Sequence, residues 1–275
     1  EILRCLVGSE MCIRDRKNYI RCERSVQWYR SKDMSKKRAC ALCMKQTIMR
    51  RQNVKRGYIM GYKAVLFDMD GTLLDTLEDL RDSTNHVLRQ MGYPERSLEE
   101  MRRFVGNGAE MQIRRAVPEG TSEENIGKAL TAYRAYYEEH CRIKTKVYDG
   151  LPGMLCELKK HGVKTAVVSN KPDAAVKKLS CEYFGDQMNY AIGASDGVRC
   201  KPYPDMVEAA LRALGAEKKD AVFVGDSEVD VQTGLNAGLP VIAVSWGFRP
   251  REVVIAAGAE KIADNASELK QYILE

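Results

Sequence analysis

The sequence predicts an α/β protein: a Rossmann-like parallel sheet with helices on both faces and an inserted helical cap domain. Three observations carry this. Short apolar runs recur at 64–67, 164–168, 190–192, 221–224 and 240–244 and stop at polar or glycine residues, as buried strands do. Helical periodicity lies between them at 173–184, 204–214, 229–237 and 251–257, and such alternation implies right-handed crossovers and a parallel sheet. One stretch, 76–148, has helical periodicity throughout and no strand run.

The first strand is Ala64-Val65-Leu66-Phe67, which ends at acidic residues. In the cap, Leu77, Leu80, Val87, Leu88 and Met91 fall near one helix face. Met101, Val105, Met111 and Ile113 continue the pattern, followed by Leu130, Tyr133, Tyr136 and Tyr137. Gly106 and Gly108 are expected to shape a cap turn facing the site. Leu74-Asp75-Thr76 and Asp149-Gly150-Leu151-Pro152 read as the two linkers on which the cap hinges. The core is therefore expected at 60–75 and 149–275, with the cap at 76–148 between them.

With 275 residues, 44% of them apolar, the chain can fill an ordinary core. No apolar run approaches the ~18 residues that span a bilayer, and the first residues lack a signal-peptide pattern. A cytoplasmic protein with no membrane partner is expected. Nine cysteines would suggest disulfides in a small secreted domain, but Cys141, Cys156, Cys181 and Cys200 are scattered through an α/β pattern and read as reduced thiols. The net charge of +6 points to nucleic acid only until it is divided by position. Residues 1–60 hold 16 Lys and Arg against 5 Asp and Glu, leaving 28 against 33 for the remainder.

Within that basic segment, Leu6-Val7-Gly8-Ser9-Glu10-Met11-Cys12-Ile13-Arg14-Asp15-Arg16 resembles the translation of a tagmentation adapter, the DNA joined to fragments in library preparation. Residues 1–59 are thus expected to be a non-native or disordered extension, with Met60 as the natural start. Cys40-x-x-Cys43 has zinc-ligand spacing, but no second pair follows nearby. Lys36-Lys37-Arg38 and Arg50-Arg51 lack the interleaved aromatics of a nucleic-acid module, so no nucleic-acid partner is expected.

The chemistry sits where strands end. Asp68 and Asp70 follow the first strand, and residues two apart point to the same side, so two carboxylates face one space beyond the carboxyl end of a parallel strand. An ionised aspartate, with its ordinary pKa of about 3.9, is a nucleophile without a general base. A shared Mg²⁺ would remove its repulsion from a phosphate dianion, and the second carboxylate can protonate the leaving oxygen. Ser169-Asn170 ends a later strand and offers a hydroxyl and N–H groups to phosphate, although by itself it is also a helix cap. Lys201 precedes a helix, its approach stiffened by Pro202 and Pro204. Gly225-Asp226-Ser227-Glu228-Val229-Asp230 supplies hard oxygen ligands of the kind Mg²⁺ prefers.

In this order and spacing, the four elements resemble the four motifs of the haloacid dehalogenase superfamily, from Tyr62 to the C terminus. The resemblance implies Asp68 as nucleophile, Asp70 as acid/base, and Ser169, Asn170 and Lys201 as phosphate ligands. It implies a metal shell from Asp68, Asp226 and the Asp70 carbonyl, with Gly71, Thr72 and Asp230 in support. Asp230 would ligate through water or hold Lys201. Val105-Gly106-Asn107-Gly108, Tyr136-Tyr137-Glu138-Glu139-His140-Cys141, Ser169-Asn170-Lys171-Pro172 and Trp246-Gly247-Phe248-Arg249 are similar to strings of phosphoglycolate phosphatases. The implied substrate is 2-phosphoglycolate; the alternatives are pyrophosphate, another small phosphomonoester, or a phosphomutase reaction. Arg114 and Arg115 are the candidates for the leaving group's carboxylate, against the plainer reading of a solvated helix face. His140 and His161 read as surface or capping residues. A noncatalytic binding module, the remaining alternative, would have no use for Asp70.

Overall fold

The computed structural model describes residues 61–275 and, of the first 60, only the backbone of four short strands. These strands, β1 (Leu3–Val7), β2 (Glu10–Arg14), β3 (Tyr19–Cys22) and β4 (Trp28–Arg30), pair antiparallel in chain order. Paired backbone stands where the sequence suggested disorder, in stretches containing β-favouring residues such as Val7, Ile13, Ile20 and Trp28. Cys40, Cys43 and the basic clusters at 36–38 and 50–51 lie outside the described residues.

Residues 61–275 form a separate unit built on a six-stranded parallel sheet. Its strands are β5 (Ala64–Phe67), β8 (Lys164–Pro172), β9 (Tyr190–Ala194), β10 (Ala221–Gly225), β11 (Val241–Val244) and β12 (Lys261–Ala263), in the spatial order β12-β11-β10-β5-β8-β9. Two-residue strands β6 (Leu74–Asp75) and β7 (Lys146–Val147) pair antiparallel at the base of the insertion. Side-chain alternation sorts the sheet's two faces. Val65, Phe67, Val222 and Val224 enter one apolar cluster, while Ala64, Leu66, Ala221 and Phe223 enter another. Both faces are covered because every residue of β5 and β10 is buried, the pattern expected of strands between two helical layers.

The insertion consists of α1 (Leu77–Gln90), α2 (Leu98–Phe104), α3 (Gly108–Ala116) and α4 (Glu123–His140). Helices α5 (Leu151–Lys160), α6 (Asp173–Phe184) and α10 (Ala266–Leu274) join the first cluster, and α7 (Asp205–Leu214) the second. The set is completed by α8 (Glu228–Ala237) and α9 (Arg251–Ala256). No described helix is long and apolar enough to cross a membrane.

Several expectations are corrected. Leu151 and Pro152 are not linker but the first turn of α5, where proline is compatible with the missing N–H partner and Gly150, at φ +79°, turns the chain into the helix. Leu74–Asp75 is paired strand, so the insertion's base is a two-stranded clamp. β8 runs on through Ser169, Asn170 and Lys171 to Pro172 by way of a register shift against β9. Met111 is 40% exposed, not on the packed face. Tyr136 is half-buried and stacks between His86 and His140, with ring centroids 3.7 Å apart on each side. His140 and His161 each bring Nδ1 to a carbonyl four residues back, at the C-terminal ends of α4 and α5.

The clamp is held by a buried carboxylate. Asp79, at the start of α1, accepts from the backbone N–H groups of Lys144 and Thr145 and from the Thr145 hydroxyl at 2.8–3.0 Å. One side chain thereby ties the insertion's entry to its exit. Core and insertion share one apolar cluster, since Leu80, Val87, Met101, Ile113 and Tyr133 pack in the same group as Val65 and Phe67. Each large side chain fully buried there contributes about 1.5–3 kcal/mol.

Candidate active site

The order β10-β5-β8 sets three strand ends side by side, and this adjacency assembles the site. Asp68 and Asp70 follow β5, Ser169 lies on β8, and Asp226 follows β10. Lys201 enters from the loop after β9. Its ammonium is 2.7 Å from Asp68 Oδ1 and 2.7 Å from Asp230 Oδ1, with its side chain 2% exposed. Asp230 is saturated, because its other oxygen accepts from the Ser227 N–H and hydroxyl at 3.0 and 2.6 Å. Of the two roles expected for Asp230, the geometry shows the one that holds Lys201.

Asp226 Oδ1 accepts from the Thr72 hydroxyl at 3.1 Å and Oδ2 from the Phe248 N–H at 2.6 Å. Gly71 passes so close that a Cβ there would meet Asp226 Oδ2 at 2.5 Å, and its φ of +88° is costly for any other residue. Asn170 lines the cavity beside Ser169, and its side-chain amide is engaged by Lys201 and the insertion. It accepts from the Lys201 N–H at 2.8 Å and donates to the Lys201 carbonyl and, across to the insertion, to Gly106 O. Trp246 Nε1 donates to Thr72 O, and Arg249 donates to Arg102 O and Val105 O while paired with Glu228. The string at 246–249 therefore braces the loop that carries Thr72 and fastens the insertion to the core.

Over Asp70 lies a cavity of about 40 Å³, lined by Asp68, Ser169, Lys171 and Lys201 from the core and by Gly106, Gly108, Gln112, Tyr133 and Tyr137 from the insertion. Gly106 and Gly108 face the site as expected, with φ +110° and +85°. Arg114 and Arg115 are not brought to it. Arg114 pairs with Glu110 and Glu123, and Arg115 donates to Phe104 O, because both project from the outer side of α3. Two unexpected residues take up Asp70: the Thr76 hydroxyl donates to Oδ1 at 2.7 Å, and Lys171 Nζ lies 2.8 and 2.9 Å from its two oxygens. Thr76 spends its hydroxyl on Asp70 and leaves α1 without a side-chain cap. The two-residue alternation that pairs Asp68 with Asp70 also pairs Ser169 with Lys171, and it is the signal by which Lys171 is legible.

Asp68, Asp226 and Asp230 place carboxylate oxygens within 4.8 Å of one another. Burial, then Asp230, pushes the Asp68 carboxyl up to about 7 against the opposing pull of Lys201. Burial, then Asp230 and Asp68, pushes Asp226 up to about 8. Burial alone would lower the Lys201 ammonium, but Asp230 and Asp68 outweigh it and hold it above its ordinary value. For the aspartates the unfolded chain ionises first, near 3.8, so the stability they contribute is complete below that pH and is lost as pH rises through about 7 to 8. Thermal melts of metal-free protein are expected to fall across that window; a rising melting temperature contradicts the arrangement.

The site and fold define the class. Residues 65–244 match the haloacid dehalogenase-like hydrolase family, and the chain belongs to that family. It is a phosphatase. It is 33% identical over 214 residues to phosphoglycolate phosphatase 1 of Pseudomonas aeruginosa, covering 75% of this chain and 78% of that one. It is 31% identical to the N-acetylmuramic acid 6-phosphate phosphatase of the same organism, covering 76% of this chain and 94% of that one. A crystal structure assigned as a phosphoglycolate phosphatase from Lactobacillus delbrueckii subsp. bulgaricus superposes with a TM-score of 0.75 at 35% identity, covering 78% of this chain and 99% of that one.

Proposed function

We infer that this phosphatase hydrolyses 2-phosphoglycolate to glycolate and phosphate in the cytoplasm through an aspartyl-phosphate on Asp68. The observation that carries the reading is the convergence of Asp68, Asp70, Ser169 and Lys201 on one partly open cavity, beside a second buried ammonium, Lys171. The relatives named for phosphoglycolate agree with it.

The donor set suits Mg²⁺: hard carboxylate oxygens, converging and buried, whose mutual repulsion a divalent cation relieves. Asp68 and Asp226, with the Asp70 carbonyl, would hold it; Mg²⁺ supplies charge neutralisation between the nucleophile and the phosphoryl oxygens. Lys201 and the Ser169 hydroxyl bind the phosphoryl group. Asp68 attacks phosphorus as the ester P–O bond breaks, and Asp70 gives its proton to the departing oxygen. Asp70 then takes a proton from water, whose oxygen attacks phosphorus and expels the Asp68 carboxylate. Phosphate release from a panel of phosphomonoesters with Mg²⁺ tests the reading. The expected result is the highest kcat/KM for 2-phosphoglycolate. A preference of more than about tenfold for pyrophosphate, a hexose phosphate or N-acetylmuramic acid 6-phosphate overturns it.

Residues 1–59 take no part in this reading. A chain starting at Met60 is expected to keep its melting temperature and its phosphatase rate, measured side by side with the full chain. A tenfold loss of rate, on the order of 1.4 kcal/mol, makes the segment a working part of the protein.

A further inference from the structure

The cavity contains two cations, and only one belongs to the phosphate end. Lys201 is committed to Asp68 and Asp230. Lys171 is paired with Asp70, its side chain 2% exposed, and its ammonium lies 4.7 Å from the centroid of the Tyr137 ring. Its anionic partner among the described residues is Asp70, the carboxylate assigned to the leaving oxygen. Tyr137, whose hydroxyl is buried without a hydrogen-bond partner, lines the same wall together with Gln112 and Tyr133.

A buried ammonium is costly without a counter-charge, and a phosphatase has no need of a second cation for the phosphoryl group once Lys201 is in place. The position is informative. A leaving oxygen at Asp70 is within hydrogen-bond reach of that carboxylate, and the Lys171 ammonium is 2.8 Å from the same carboxylate's Oδ1. A negative group one or two bonds from the ester oxygen therefore falls against Lys171, over the face of Tyr137. Arg114 and Arg115 point elsewhere, and among the described residues Lys171 and Lys201 are the cations that line the cavity.

We propose that Lys171 is the specificity-determining residue for the leaving group and receives the carboxylate of a short hydroxy-acid phosphate. This rests on the phosphomonoesterase reading above and extends it to a substrate class: phosphate esters of two- or three-carbon hydroxy acids. Neutral esters of the same size lack the group that Lys171 binds.

The test compares 2-phosphoglycolate with 2-hydroxyethyl phosphate, an ester of similar size whose leaving group is neutral (the neutral ester below), in wild type, Lys171→Met and Lys171→Arg. Wild type is expected to favour the acid by at least about tenfold in kcat/KM. Lys171→Met should lose about 10- to 100-fold more on 2-phosphoglycolate than on the neutral ester, the excess mostly in KM. Lys171→Arg should recover part of the preference. The neutral ester also reports on folding, since a misfolded variant loses both. Equal losses on both substrates, with the melting temperature held, overturn the proposal and make Lys171 a positioning residue for Asp70. Wild type that hydrolyses both esters equally overturns it as well, while leaving the phosphomonoesterase reading intact. Failure of wild type on both esters refutes that reading instead.

Discussion

Asp68→Asn is expected to abolish phosphate release, by about 10⁴-fold or more, while leaving the protein folded. The amide has no anionic oxygen to attack phosphorus and withdraws one charge from the oxygen cluster of Asp68, Asp226 and Asp230. Stability should survive, because Lys201 keeps Asp230 at 2.7 Å and the loss of one of several buried like charges relieves the repulsion that raises Asp226. The metal-free variant should accordingly melt at or above the wild-type temperature at pH 8. Steady-state phosphate release and a thermal melt check both halves. A rate within about tenfold of wild type removes Asp68 from the nucleophile's role.

Asp70→Asn should lower turnover by about 10² to 10⁴-fold, the range of general acid–base catalysis. The loss should shrink for aryl phosphates, whose leaving groups need little protonation. This variant differs from the first in stability as well. Asp70 carries the counter-charge of Lys171 at 2.8 Å, and a buried lysine stripped of its partner costs about 3–5 kcal/mol. A lower melting temperature is therefore expected here and not for Asp68→Asn. Equal rate losses on alkyl and aryl esters would show that Asp70 acts by holding Lys171 and not by moving a proton.

The two substitutions separate because neighbouring carboxylates face different cations, a difference with no trace in their shared motif. The string at 246–249 has the same character. In sequence it resembles a family signature, yet its role comes from contacts with residues more than 140 positions away, such as Val105 O for Arg249 and Thr72 O for Trp246. Short elements were hidden for a simpler reason. Lys261–Ala263 is only three residues long, too short for a period to register, and it is a strand because β11 offers it a parallel edge.

By itself the sequence determined the alternating α/β order, the helical insertion after β5, the acidic residues where β5 and β10 end, and Ser169 on β8. These are local matters: apolar period, strand-ending glycine and aspartate, and the two-residue alternation that points Asp68 and Asp70 the same way. Only the tertiary structure decided which charges meet. It sent Arg114 to Glu123 and Lys171 to Asp70, saturated Asp230, and turned Asn170 toward Lys201. The physical reason is that a side chain's partner depends on which strand ends adjoin and where the insertion closes over them, and those distances are set by packing between elements far apart in the chain.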